Sequence, residues 1–239
     1  MTGDGVNDAP ALKNADIGIA MGITGTEVTK EAATMVLTDD NFATIVRAVK
    51  EGRAIYDNMV KFVRFQLSTN MGAIQTVLGA SLLGWTTPFT AIQILWINII
   101  MDGPPAMSLG VEPARPGVMD EPPRRADAHI LTLPRLARLL VYGATMAVGT
   151  LALFHHARPQ GEAYALTLAF TVFVLFQFFN LFNARAEHGS AFDRNFLRNG
   201  WLWTSLAAVA ALQVLVVHWP PAQAVFNTTD LALRDWWHV

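Results

Sequence analysis

Residues 92–109 form an apolar run long enough to cross a bilayer, and Asp102-Gly103-Pro104-Pro105 interrupts it near its middle. This interruption constrains the chain more than any other feature. A carboxylate at the centre of a spanning helix costs about 2.5 to 3.5 kcal/mol on insertion scales, so it is expected to face a water-filled cavity, an ion or a partner. The prolines that follow lack an N–H and clash with the preceding turn, which breaks the helix. Broken backbone at membrane depth is tolerated where it is buried or lines a site, and its freed carbonyls can coordinate a cation. Asn98 lies one α-helical turn before Asp102, on the same face. Asn98 and Asp102 are therefore candidate ligands for a hard cation.

The rest of the chain suits a membrane setting. With 52% hydrophobic residues, 15% charged residues and a mean hydropathy of +0.32, it carries more apolar surface than a soluble domain of 239 residues needs. A net charge of −2 gives no reason to expect nucleic acid, and the lack of cysteine excludes disulfides, thiolate metal ligands and a cysteine nucleophile. Apolar runs predict about five spans, at 62–83, 91–109, 136–154, 164–182 and 201–217. The loop 111–134 holds Arg115, Arg124 and Arg125, with Arg135 and Arg138 just beyond, and the later loop holds Arg185, Arg194 and Arg198. The alternate loops are poor in cations, 84–90 having none and 155–163 only Arg158. The positive-inside rule then puts the N-terminus and both arginine-rich loops in the cytoplasm, in an integral membrane protein. Trp201, Trp203, Trp219, Trp236 and Trp237 lie near the ends of expected spans, where amphipathic rings prefer the interface.

Residues 1–41 have a different composition, mixing glycines and carboxylates with short strand-like pieces at 17–21 and 34–37. This reads as the tail of an α/β domain. From Phe42 through Arg64 the apolar positions recur at helical spacing, with no breaker beyond Gly52 before the first expected span. The expected organisation is an α/β tail at 1–41, a stalk helix at 42–61 and a mainly α, polytopic transmembrane bundle at 62–239.

The most specific motif opens the chain: Thr2-Gly3-Asp4-Gly5-Val6-Asn7-Asp8-Ala9-Pro10-Ala11-Leu12. Glycines on both sides of Asp4 allow a tight turn, while Asp4, Asn7 and Asp8 offer oxygens suited to Mg2+ beside a phosphate. The run resembles the hinge motif of P-type ATPases, whose phosphorylation domain has the haloacid dehalogenase fold, and it continues through Ala15-Asp16-Ile17-Gly18-Ile19-Ala20-Met21-Gly22. Tyr56-Asp57-Asn58-Met59-Val60-Lys61-Phe62-Val63-Arg64-Phe65 resembles the family's fifth transmembrane entry, and Leu95-Trp96-Ile97-Asn98-Ile99-Ile100-Met101-Asp102 its sixth helix. The run from Phe178 to Asn183, followed by Ala184-Arg185-Ala186-Glu187-His188-Gly189, is similar to the end of the eighth helix in calcium pumps of the plasma-membrane type.

The resemblance implies that Asp4 binds Mg2+, with Asp8 a further candidate, that Asn7 and Asp8 arrange the phosphorylation site, and that Asn98 and Asp102 bind the transported ion. Asn70 matches a fifth-helix asparagine of the first calcium site in two-ion pumps. Ala73 stands where those pumps carry glutamate, Met101 where they carry threonine, and Gln177 near an eighth-helix glutamate. These departures match a pattern of one Ca2+ per cycle, with proton countertransport as the family's expectation.

Local readings stand beside these. Asn70 can simply hydrogen-bond between helices, and Gln177, Asn180 and Asn183 form a polar stripe suited to interhelical packing. His155 and His156 have no carboxylate or cysteine partners in sequence and read as solvated loop residues.

The sequence contains no Asp-Lys-Thr-Gly phosphorylation motif and no nucleotide-binding or actuator domain, so ATP hydrolysis needs N-terminal pump domains outside it. The chain is thus expected to be a C-terminal piece of an ATP-driven cation pump in the plasma membrane. Other cations (Mn2+, Na+, K+) remain alternatives to Ca2+, as does a noncatalytic membrane protein with a binding or regulatory role.

Overall fold

The computed structural model describes residues 1–125, 128–186 and 196–237. Glu187, His188 and Gly189 of the motif above, and Arg194, lie outside the described residues. Residues 1–54 with 114–121 form one compact unit, and residues 55–113 with 122–239 another.

In the first unit, parallel strands need crossover connections, and the chain supplies two. Strand β1 (Thr2–Gly3) leads through helix α1 (Ala9–Asn14) to β2 (Ile19–Met21), then through α2 (Glu27–Ala32) to β3 (Met35–Leu37). The three strands form a parallel sheet in the order β1-β2-β3, with Thr2 opposite Ile19 and Ile19 opposite Met35. Pro10 lies in the first turn of α1, where its missing N–H costs nothing. At Gly18 a Cβ would stand 2.3 Å from the Leu12 carbonyl oxygen, so only glycine lets the chain pass this close to α1. Ile19, Met21 and Leu37 make the core of this unit, with Met35 and Ile45 packed on it. The Arg53 guanidinium donates to the carbonyls of Val118 (2.9 Å) and Glu121 (2.7 Å), holding residues 114–121 to the unit.

The second unit is helical. Helix α3 (Phe42–Leu82) runs unbroken for 41 residues, starting in the first unit and continuing through the second. Then come α4 (Ala91–Trp96), a π-helical turn (Ile97–Met101), α5 (Pro104–Gly110), α6 (Leu133–Ala157), α7 (Glu162–Arg185), α8 (Gly200–His218) and α9 (Pro220–Phe226). Three stretches among the described residues are long and apolar enough to cross a membrane: Leu133–Gln160, Glu162–Arg185 and Gly200–His218. The other two expected spans differ for separate reasons. Residues 62–82 of α3 carry Gln66, Ser68, Thr69, Asn70, Gln75 and Thr76, which lower their hydropathy. The run 91–109 is divided into three short pieces, and the division is enforced at Gly103, where a Cβ would lie 2.4 Å from the Ile99 carbonyl oxygen.

Helix α7 lies at the centre of the second unit, with Phe170, Phe173, Gln177 and Leu181 all fully enclosed. An almost wholly apolar helix is the kind that is buried all round. Lipid tails are as apolar as leucine, so close packing and interhelical hydrogen bonds hold helices together within a membrane. Small residues permit that packing here. A Cβ on Gly143 of α6 would fall 2.9 Å from the backbone nitrogen of Gly72 on α3, and one on Gly149 would meet the Phe176 ring at 2.4 Å.

Candidate functional site

Two groups of sequence-selected residues occupy the two units. In the first, Asp8 sits in a short 3-10 turn (Val6–Asp8), and its Oδ2 accepts the backbone N–H groups of Asp4 (3.1 Å) and Gly5 (3.0 Å). Gly3 makes room for it, since a Cβ there would stand 2.5 Å from that of Asp8. The Asp4 carbonyl in turn accepts from Thr26 N–H (3.0 Å) and the Thr29 hydroxyl (3.1 Å), tying the loop to the start of α2. The side chains of Asp4 and Asn7 are exposed and have no hydrogen-bond partner among the described residues. Asp8 therefore shapes the loop, while the Asp4 carboxylate and the Asn7 amide point outward and are available. No group of three or more His, Cys, Asp or Glu side chains able to hold a metal occurs among the described residues, so Mg2+ here would rely on Asp4 and on phosphate oxygens, as Mg2+ commonly does.

Nearby, Asp40 was not singled out from sequence. It adopts a left-handed conformation (φ 46°), and its carboxylate accepts the N–H groups of Gly22 (2.6 Å), Ile23 (3.0 Å) and Thr24 (2.8 Å) and the Thr24 hydroxyl (2.9 Å). The Ile23 N–H leads the causes that hold its pKa down at about 2, with Thr24 and Gly22 adding to it against some desolvation.

In the second unit, Asp102 follows the π-helical turn at the helix break. Gln66 of α3 donates from Nε2 to Asp102 Oδ2 at 2.8 Å. The other oxygen, Oδ1, is buried without a partner, and so are Gln66 Oε1, Thr69 Oγ1 and both side-chain polar atoms of Gln177. Buried polar groups are normally paired, so each unpaired one calls for an explanation. Asn98 differs from the expectation of a shared face. It is exposed and makes no hydrogen bond to Asp102, because a π-helical turn closes i to i+5 and residues four apart no longer stack as they do in an α-helix. Asn70 is half-buried, without a side-chain partner among the described residues. Of the polar stripe on α7, Asn180 packs as interhelical glue, donating to Ser68 Oγ at 2.7 Å; Asn183 is exposed, and Gln177 is enclosed and unpaired.

Sequence reasoning missed Gln66 and Thr69 entirely. It also missed a buried ionic group at one end of the unit. Glu112 meets Lys61 Nζ at 2.8 Å through one oxygen and Arg185 Nε at 2.6 Å through the other, all three side chains being enclosed. Asn58 donates to the Glu112 carbonyl at 2.7 Å, and Arg64 to the Ala184 carbonyl at 3.1 Å. His155 is not merely solvated, for its ring stacks on Trp85 at 4.6 Å.

Residues 86–239 match the family described as "Cation transporting ATPase, C-terminus". The chain belongs to the cation-transporting ATPase family. It is 44% identical over 239 residues, 99% of its length, to a calcium-transporting ATPase of Bacillus subtilis. It is 46% identical over 237 residues, 98% of its length, to human calcium-transporting ATPase type 2C member 1, and 45% identical over 237 residues to calcium-transporting ATPase 1 of Yarrowia lipolytica. The alignments cover 26–27% of those relatives, so the chain spans about a quarter of the length of the curated relatives it matches. With its apolar helices, membership in this family makes the protein an integral membrane protein.

Proposed function

We propose that this chain supplies the ion-binding helices, and part of the phosphorylation site, of an ATP-driven Ca2+ pump. The observation that carries the reading is the carboxylate of Asp102, half satisfied by Gln66, with its second oxygen buried and unpaired at a broken helix. Such an oxygen is costly to bury empty, and a hard cation removes the cost. Calcium is favoured over other cations by the names of the relatives, and the all-oxygen set of candidate ligands, centred on Asp102 with Asn98, Asn70 and Gln177 less central, suits Ca2+ as it would Mn2+.

On this reading residues 1–41 are the end of a haloacid dehalogenase-like phosphorylation domain, residues 42–61 a stalk, and residues 62–239 a bundle of five spans with the N-terminus in the cytoplasm, in the plasma membrane. Asp4 and Asn7 face the phosphorylation site; bound Mg2+ would there neutralise phosphate charge. Asp8 keeps the loop in shape through the Asp4 and Gly5 N–H groups. The phosphorylated aspartate, the ATP site and the remaining ion ligands belong to pump segments beyond these 239 residues. Covalent phosphorylation of an aspartate splits ATP hydrolysis into two steps. Between those steps the chain's own Asp102 would hold and then release the ion.

ATP-dependent uptake of radiolabelled Ca2+ into inverted vesicles carrying the complete pump tests this. Uptake that Asp102→Asn abolishes is the expected result. Uptake unaffected by Asp102→Asn would overturn the site, and ATPase activity stimulated by a different cation would overturn the calcium assignment.

A further inference from the structure

We propose that Gln66 is a specificity-determining ligand of the transported cation, holding Asp102 through its amide N–H and binding the same ion through its carbonyl oxygen. The inference rests on the cation-pump reading and extends its ligand set to a further residue of α3.

A carboxylate only accepts hydrogen bonds, so the Gln66 amide must turn its NH2 toward Asp102 and its oxygen away. That oxygen is buried without a partner, and so is the Asp102 oxygen that Gln66 leaves free. Thr69, three residues further along α3 and on a neighbouring part of its surface, presents a third unpaired buried oxygen. Helix register adds a fourth side. A Cβ on Gly72 of α3 would meet Phe173 of α7 at 3.5 Å, and Asn180 of α7 donates to Ser68 of α3, so the enclosed, unpaired Gln177 between Phe173 and Asn180 stands level with the turn of α3 that holds Thr69. Carboxylate, amide carbonyl and hydroxyl oxygens are the ligands Ca2+ prefers, and its six to eight ligands with flexible geometry suit a long neutral side chain such as glutamine. A smaller cation that is content with six ligands depends less on this added oxygen.

The half-activating concentrations of Ca2+ and Mn2+ for ATP hydrolysis by the complete pump test the assignment. Gln66→Met, which keeps the length but removes both polar atoms, should raise the Ca2+ value about 10- to 100-fold, the usual effect of losing a supporting group at a metal site. The Mn2+ value should rise less, and the loss should be overcome at saturating Ca2+, which a packing defect would not allow. Gln66→Glu adds a ligand charge and should lower the Ca2+ value. It decides the matter alone if the methionine variant does not reach the membrane. A Ca2+ value unchanged in Gln66→Met, equal shifts for the two cations, or a value unchanged or raised in Gln66→Glu would overturn the proposal. If Asp102→Asn abolishes transport while both Gln66 variants behave as wild type, this inference falls alone; if Asp102→Asn transports normally, the Asp102 ion site falls with it.

Discussion

Asp4 and Asp102 are both carboxylates next to a glycine, and they show opposite economies of hydrogen bonding. At Asp4 the backbone is fixed on both sides, by Asp8 and by the start of α2, while the carboxylate itself is exposed and bare. At Asp102 the carboxylate is tied to Gln66 through one oxygen and buried without a partner through the other. Water satisfies the first at little cost. Nothing among the described residues satisfies the second, and an unmade hydrogen bond to a charged buried group costs about 1–3 kcal/mol or more. A free carboxylate in a loop therefore says little about function, whereas an unpaired oxygen inside a helical bundle points strongly to a ligand.

The sharpest way to break this contrast is to turn each carboxylate into its amide. Asp102→Asn should abolish Ca2+ uptake, the largest effect expected. Asp4→Asn should abolish ATP hydrolysis yet leave the melting temperature of the purified protein unchanged, since the Asp4 side chain supports no other residue described. A clear fall in melting temperature for Asp4→Asn would show that the loop depends on that side chain and would erase the distinction.

Glu112 provides an intermediate case, a buried carboxylate whose oxygens are both paired. Removing one member of a buried ionic group leaves charges uncompensated, typically at a cost of about 3–5 kcal/mol. Glu112→Ala should destabilise the helical unit by that order, because Lys61 and Arg185 would both lose their counter-charge. Thermal unfolding in detergent, followed by circular dichroism, checks it. A loss near zero would mean that the two cations reach solvent or lipid headgroups, and that burial does not separate Glu112 from Asp4 in kind.

What was legible in sequence follows the range of the interactions. The helix break at Gly103 could be read because proline and a lone carboxylate in an apolar run act locally, and the strand-like pieces at 17–21 and 34–37 could be read because they alternate with turn residues. Gln66 could not, since its partner Asp102 lies 36 positions away. The Lys61–Glu112–Arg185 group was hidden for the same reason, with Arg185 read as a topology signal and as part of the eighth-helix motif, not as a partner of Glu112. The expected pairing of Asn98 with Asp102 assumed α-helical spacing, and the π-helical turn between them changes that spacing. No local pattern forecasts that turn.

The smallest expected effect sharpens the comparison on the exposed side. Asp40 is a surface carboxylate like Asp4, but four donors surround it. Its pKa falls from 3.8 to about 2, so folding favours the charged form. A depressed folded pKa contributes stability that is fully present above the unfolded value and is lost as pH falls through the folded one. The contribution should therefore be intact at pH 6 and fade between about pH 4 and pH 2. Asp40→Asn keeps one acceptor oxygen but no charge, so it should melt below wild type at neutral pH, and the gap should close as pH approaches 2. The melting curves of the two proteins across that range measure it directly. A gap that persists at low pH would assign the role of Asp40 to its left-handed backbone, which asparagine also tolerates, or to shape, and not to its charge.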